Sequence, residues 1–260
     1  MSNSLRAWKD KAVEITLRTM ASKPQVINPA WRIDPAELKD VTIRWPIKYE
    51  WERAHLWVDT LLYGFRRFKE VEMAELEQPY RGTVLFQFVV RGKAHDVAID
   101  YSDYSEINEE SALRCPIYFK MQHLREGYGL DHVLPGGYVP DGRRVYLHLP
   151  RLRKLRDSRE FDYDVYGRFS VEFAGETRRR AVELLSSQKD FKFEGGLDRE
   201  HIVYAKDDFS DLTELCNFYL ENEEAREAMC IKSRGFFEQY LHKDNLTAYY
   251  IRSCLDRLRN

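Results

Sequence analysis

The chain has 260 residues, 43% of them hydrophobic and 13% aromatic, which is enough apolar matter for one large core or two small ones and excludes a disordered chain. Its 41 Lys and Arg nearly cancel its 43 Asp and Glu, so a net charge of -2 supplies no global field for nucleic acid or an anionic membrane. Any basic site has to be local.

The opening run MSNSLRAWKDKAVEITLRTM sets Leu5, Trp8, Ala12, Ile15 and Met20 near helical spacing and predicts a weakly amphipathic helix over residues 5–20. Charges run through it where a signal peptide needs an apolar core, and no stretch reaches the roughly 20 apolar residues of a membrane helix. The expectation is a soluble, cytoplasmic protein without a transmembrane segment. Pro24, Pro29, Pro35 and Pro46 mark an extended connection, with VTIRW at 41–45 as a strand. In WERAHLWVDTLLYGFRRF, Ala54, Trp57, Val58, Leu61, Leu62 and Phe65 recur every three or four residues, the pattern of a helix with one face in the core.

GTVLFQFVVRGKAHDVAIDYSDY predicts two strands, 84–90 and 95–99, joined across Arg91-Gly92-Lys93, the second leading to Asp100 and Asp103. CPIYFKMQH (115–123) predicts another strand, and DHVLPGGYVP (131–140) a short one that breaks into a Pro-Gly-Gly turn. These elements suit an irregular α/β domain over residues 1–145. Seven of the residues from Arg143 to Arg159 are Lys or Arg, which reads first as a solvated helix face. With no aromatic-basic module beside them, nucleic acid is not an expected partner.

The second half, 146–260, reads as a Rossmann-like parallel half. Its pattern is a strand over 163–166, a helix over 175–187, a strand over 191–193, Gly195-Gly196, a strand over 202–205, and a helix over 212–221. Two further helices follow, for which Asn222 and Asp244 are natural N-caps. In FDYDVYGRF (161–169) the first strand runs into Gly167, which permits a tight turn, and Arg168, whose guanidinium fork suits phosphate oxygens. The same pair also fits a plain strand-to-helix turn.

The four cysteines, Cys115, Cys216, Cys230 and Cys254, are widely spaced and read as reduced thiols, mostly buried. The seven histidines form no close pair at metal spacing, and the KDD run at 206–208 is better explained by Asp208 or Ser210 capping the helix near Leu212. No metal or other cofactor is expected.

The segments FDYDVYGRF, ETRRRAVELLSSQKDFKFEGG and HIVYAKDDFSDLTELCNFYLENEEAREAM together resemble the C-terminal half of bacterial two-Rossmann (GT-B) glycosyltransferases of the family 1-like kind. YFKMQH and VLPGGYVP are similar to the end of the acceptor-side domain in such proteins, and FFEQYLHKDNLTAYYIRSCLDRL to the closing helices that cross back to it. Only LDRE separates Gly196 from His201, where the family has further strand–helix units, so the resemblance is to a shortened member with an open donor pocket.

The resemblance implies transfer of a sugar from a nucleotide-sugar donor to a hydroxyl of a glycan or other acceptor. Gly167, Arg168, Gly195, Gly196 and Lys206 would hold the donor, with Arg168 and Lys206 answering the charge of the leaving diphosphate. Asp100 or Asp103 would serve as base, although paired aspartates after a strand are also ordinary turn residues, and His123 should emerge near the cleft between the halves. The alternative is a non-catalytic interaction protein on the same shortened fold. A homo-oligomer is left open.

Overall fold

A computed structural model describes residues 26–137, 205–206 and 209–259. Strand β1 (Val41–Pro46) buries Val41, Ile43 and Trp45 and leaves Thr42 and Arg44 half-buried, the period of two that a pleated strand imposes. β3 (Thr83–Val90) is buried at every position but Gln87, and β5 (Ile117–Lys120) at all four, as befits strands covered on both faces. β4 (Lys93–Asp100) becomes buried only in its last four residues. A two-residue turn at Arg91 and Gly92, with φ of 51° and 77°, joins β3 to β4, the left-handed geometry that matches the twist of a hairpin.

The six strands lie in the order β2-β1-β3-β4-β5-β6, with β2 covering Val71–Ala74 and β6 Val133–Pro135. β1 pairs parallel with β2, β4 with β5 and β5 with β6, while β3 is antiparallel to both of its neighbours. Five strands therefore share one direction and β3 alone is reversed. Helix α1 (His55–Phe68), entered through a 3-10 turn at Glu52–Ala54, carries the chain from β1 to β2, and α2 (Glu109–Arg114) carries it from β4 to β5. Two parallel βαβ crossovers in one sheet make the class α/β and Rossmann-like, with the sheet itself mixed.

The expected strands and the strong helix of the first half are present; β1, β3 and β4 run one to three residues longer than expected, while β5, β6 and the helix are shorter than the stretches that suggested them. β2 and α2 escaped the sequence reading. β2 has four residues of which only Val71 is buried, so it has no alternation to show, and it exists because β1 offers it a partner. The helix expected over 5–20 and the elements expected over 163–193 lie outside the described residues, as does the 202–205 strand save for Ala205, which is irregular.

The chain divides into two compact units, Met1–Pro150 with Glu238–Asn260, and Arg151–Phe237. Helix α5 (Lys243–Leu258) therefore belongs to the sheet's unit, whereas the sequence had grouped it with residues 146–260. In that unit the larger core lies between one sheet face and α1 with α5, including Ile43, Trp45, Leu61, Phe65, Phe86, Phe119, Tyr250 and Ile251. Tyr250 stacks on Phe119 at 3.7 Å and donates its hydroxyl to the Gly136 carbonyl at 2.9 Å. The opposite face holds a smaller cluster of Leu85, Ala98, Ala112, Cys115, Tyr118 and Val133. The other unit contributes α3 (Leu212–Glu221) and α4 (Glu223–Phe236), in which no residue is fully buried.

Both expected N-caps behave otherwise. Asn222 does precede α4, but its side chain donates back to the Phe218 carbonyl at 2.8 Å and leaves α4 without a side-chain cap. Asp244 lies inside α5, where its carboxylate accepts from Arg67 of α1 at 2.7 Å, and His242 is the cap, its Nδ1 accepting from the Asp244 amide at 3.3 Å. A buried helix end facing an arginine takes the carboxylate for an ion pair that local sequence cannot reveal. The cysteines are all free; Cys115 and Cys254 are buried, Cys216 half-buried and Cys230 exposed.

A 3-10 turn at Pro35–Leu38 pins the start of this unit to α5. Glu37 accepts the Asp34 amide at 2.9 Å and the Arg252 guanidinium at 2.8 Å, and its own carbonyl accepts from Arg259. The Asp34 amide first, and then Arg252, hold the Glu37 carboxyl below its usual 4.5. A depressed carboxyl stabilises the fold above its unfolded pKa and loses that contribution as pH falls through the folded one. Glu37→Gln should therefore be less stable than the wild type in urea at pH 7, with the gap closing as the pH drops below 4.5. A gap that persists unchanged in acid would assign the loss to shape rather than charge.

Candidate functional site

Because only β3 is reversed, the carboxyl ends of β1, β2, β4, β5 and β6 meet at one edge of the sheet, the edge at which α/β proteins hold ligands. Asp100 and Lys120, the last residues of β4 and β5, are register partners there. Both are buried, and Lys120 Nζ stands 3.0 Å from Asp100 Oδ1. The same oxygen accepts the Ser102 amide at 2.9 Å and the Ser102 hydroxyl at 2.6 Å, while Lys120 also donates to Ser102 Oγ at 2.8 Å. Asp100 Oδ2 accepts the hydroxyl of Tyr118, which itself accepts the Asn108 amide at 3.1 Å. Burial, and then the charge of Asp100, push the Tyr118 phenol well above its usual value, so it stays a neutral donor.

Beside this network opens a cleft of about 680 Å³, walled by Glu50 and Trp51 after β1, Arg81 before β3, and Tyr101, Tyr104 and Glu106 after β4. The rings of Trp51 and Tyr101 lie 6.2 Å apart and 15° from parallel. Tyr101 is buried against the sheet and its phenol is pushed up to about 12, by burial first, then by the carboxylates of Glu50 and Asp100, against the pull of Arg81. The Tyr101 amide donates to the Gly82 carbonyl at 2.9 Å, tying the β4 loop to the turn that enters β3.

Asp100, Asp103 and His123 all stand on this carboxyl edge, after the neighbouring strands β4 and β5. Asp100 is committed to Lys120, Ser102 and Tyr118 through both oxygens; Asp103 is exposed. His123 is half-buried, its ring edge-on to Tyr128 at 5.2 Å, and the Tyr128 hydroxyl reaches the Ser105 carbonyl at 2.5 Å, linking the β5 loop to the β4 loop. Lys206 belongs to the other unit, is exposed, and donates its amide to Asp211 Oδ1 at 2.8 Å. Asp211, not Ser210, is the N-cap residue of α3, and Asp208 lies outside the described residues. Gly167, Arg168, Gly195 and Gly196, with the donor pocket expected around them, lie outside the described residues as well.

Sequence reading passed over Lys120, Tyr118, Ser102, Trp51 and Arg81. One signal was available: a lysine closing the apolar strand IYF, one strand on from an aspartate closing VAI, puts two lone charges where each needs a partner. Among the described residues no group of His, Cys, Asp and Glu could hold a metal ion, and no helix is long and apolar enough to cross a membrane. No family model, curated protein or solved structure matches the chain.

Proposed function

We propose that the protein is a shortened glycosyltransferase-like protein of the GT-B type, which binds a nucleotide-sugar and presents an acceptor hydroxyl to it. The observation that supports this reading is the aromatic and polar cleft at the carboxyl edge of the first unit's sheet, the half that the resemblance assigns to the acceptor. In the reaction an acceptor oxygen bonds to the anomeric carbon, the bond from that carbon to the diphosphate oxygen breaks, and the hydroxyl proton passes to a base. Asp103 and His123, on the same carboxyl edge but not among the residues that line the cleft, are the proposed bases in place of Asp100, which lines it but whose two oxygens already accept hydrogen bonds. Arg168 and Lys206, with the amides of Gly195 and Gly196, are the groups proposed to meet the leaving diphosphate.

The test is a thermal-shift panel of UDP, GDP, CMP and dTDP sugars, since a ligand that binds only the native state raises its melting temperature by mass action. One donor class should stabilise the protein. By calorimetry with that donor, Arg168→Ala should bind about 2 kcal/mol more weakly, close to 30-fold, while melting as the wild type does. Unchanged affinity would remove Gly167 and Arg168 from the proposed donor site.

The saturated state of Asp100 favours a second reading, in which the fold binds without turnover. Release of nucleoside diphosphate in the presence of acceptor separates the two: binding with no release over hours assigns the protein to the non-catalytic class.

A further inference from the structure

We infer that the carboxyl-edge cleft takes a sugar ring carrying no negative charge, packed on the Trp51 indole, and rejects phosphorylated and carboxylated sugars. The inference rests on the transferase-like reading for its ligand class, and on the cleft for its selectivity. Trp51 is 45% exposed and Tyr104 72% exposed, and both stand on the wall of this one cleft. Two large rings held open to water beside polar side chains suit a ligand with an apolar C–H face and a polar rim, which is the make-up of a pyranose. Trp51 is backed by Tyr101, so its plane is held in place before any ligand arrives, which lowers the ordering cost of binding.

Charge decides the rest. Asp100 carries its own counter-charge, Lys120 Nζ at 3.0 Å, so the pair together adds no net charge to the wall. That leaves Glu50 and Glu106 on the cleft against Arg81, an excess of negative charge. Glu50 acts on the same lining, where after burial it is the next cause that raises the Tyr101 phenol. A diphosphate, a sugar phosphate or a uronic acid entering here meets net repulsion, whereas a neutral or amine-bearing ring does not. The cleft is thus an acceptor subsite and not a place for the donor's phosphates.

Saturation-transfer NMR on the full chain tests this with methyl glucoside, methyl N-acetylglucosaminide and methyl glucosaminide, set against methyl glucuronide and glucose 6-phosphate. At least one of the first three should receive saturation, and both anionic sugars should bind at least about tenfold more weakly than it does, a difference of about 1.4 kcal/mol. Trp51→Ala should abolish the signal with the melting temperature kept, and Tyr104→Ala, at the more exposed ring, provides the same readout should the first variant fold poorly. Glu50→Gln with Glu106→Gln should narrow the gap between neutral and anionic sugars. A signal indifferent to both ring variants, an anionic sugar bound as well as a neutral one, or no signal from any glycoside overturns the inference. A nucleotide-sugar thermal shift without glycoside saturation leaves the transferase reading standing and removes this one. Glycoside saturation without any nucleotide-sugar shift does the reverse.

Discussion

Lys120→Met should destabilise the sheet-bearing unit by about 3–5 kcal/mol, read as a lower urea midpoint at unchanged slope. The lysine is fully buried, and its ammonium is the charge partner of an aspartate only 2% exposed. Without it the Asp100 carboxylate keeps the Ser102 and Tyr118 hydrogen bonds but loses the ion pair to its Oδ1 that the described residues supply. The loss comes from stranding that charge, not from the net worth of the pair, which desolvation largely cancels. Adding Asp100→Asn to Lys120→Met removes the stranded charge; the one amide oxygen can keep the Ser102 amide and hydroxyl while the amide nitrogen faces the Tyr118 hydroxyl, so the double variant should recover part of the loss. A double variant no better than the single one would mean that Lys120 acts through its aliphatic stem.

Gly64→Val should cost about 3 kcal/mol and loosen α5 from α1, at the upper end of the usual price of overpacking because no flexible neighbour can yield. A Cβ at Gly64 would stand 2.0 Å from Thr247 Oγ1, 2.9 Å from Thr247 Cβ and 2.8 Å from the backbone oxygen of Lys243. The two helices cross with nothing between them at that point. Any separation also stretches the 2.7 Å Arg67–Asp244 ion pair and lifts Tyr250 from Phe119. Thr247→Ala in the same chain clears the hydroxyl but not the Lys243 carbonyl, so it should restore part of the stability and not all. Denaturation followed by near-ultraviolet circular dichroism, which reports the packed tyrosines, measures both variants. A Gly64→Val protein as stable as the wild type would show that α5 is not seated as described.

Lys120 and Gly64 also show why part of the fold was legible and part was not. α1 could be read because Val58, Leu61, Leu62 and Phe65 repeat with the helix period, and Gly64 sits among them as an unremarked glycine. Its reason for being glycine is Thr247, in a helix that returns from the far end of the chain. β3 and β4 could be read from their apolar runs and the Arg91-Gly92 turn, and their pairing over eight residues follows from the hairpin alone. In the sequence Asp100 is a polar residue at a strand exit and a candidate base; only the parallel pairing of β4 with β5 sets it beside Lys120 and changes its chemistry.

By itself the sequence determined what depends on neighbours within a turn or a hairpin: the α/β class, the buried face of α1, the β3–β4 reversal, and the polar loop after β4. Tertiary structure alone decided the strand order, the recruitment of β2 to the edge, the seat of α5 and the walls of the cleft. The difference is one of range. Asn28 donates its amide to the side chain of Asn245, 217 residues on, and Arg67 pairs with Asp244, 177 residues on. Such contacts form only after the sheet and α1 have brought distant segments together, so the residues that make them carry no local periodicity to betray them. Trp51, Arg81 and Tyr104 face one cleft for the same reason: they lie on loops whose common edge is created by the direction of the strands, not by their spacing along the chain.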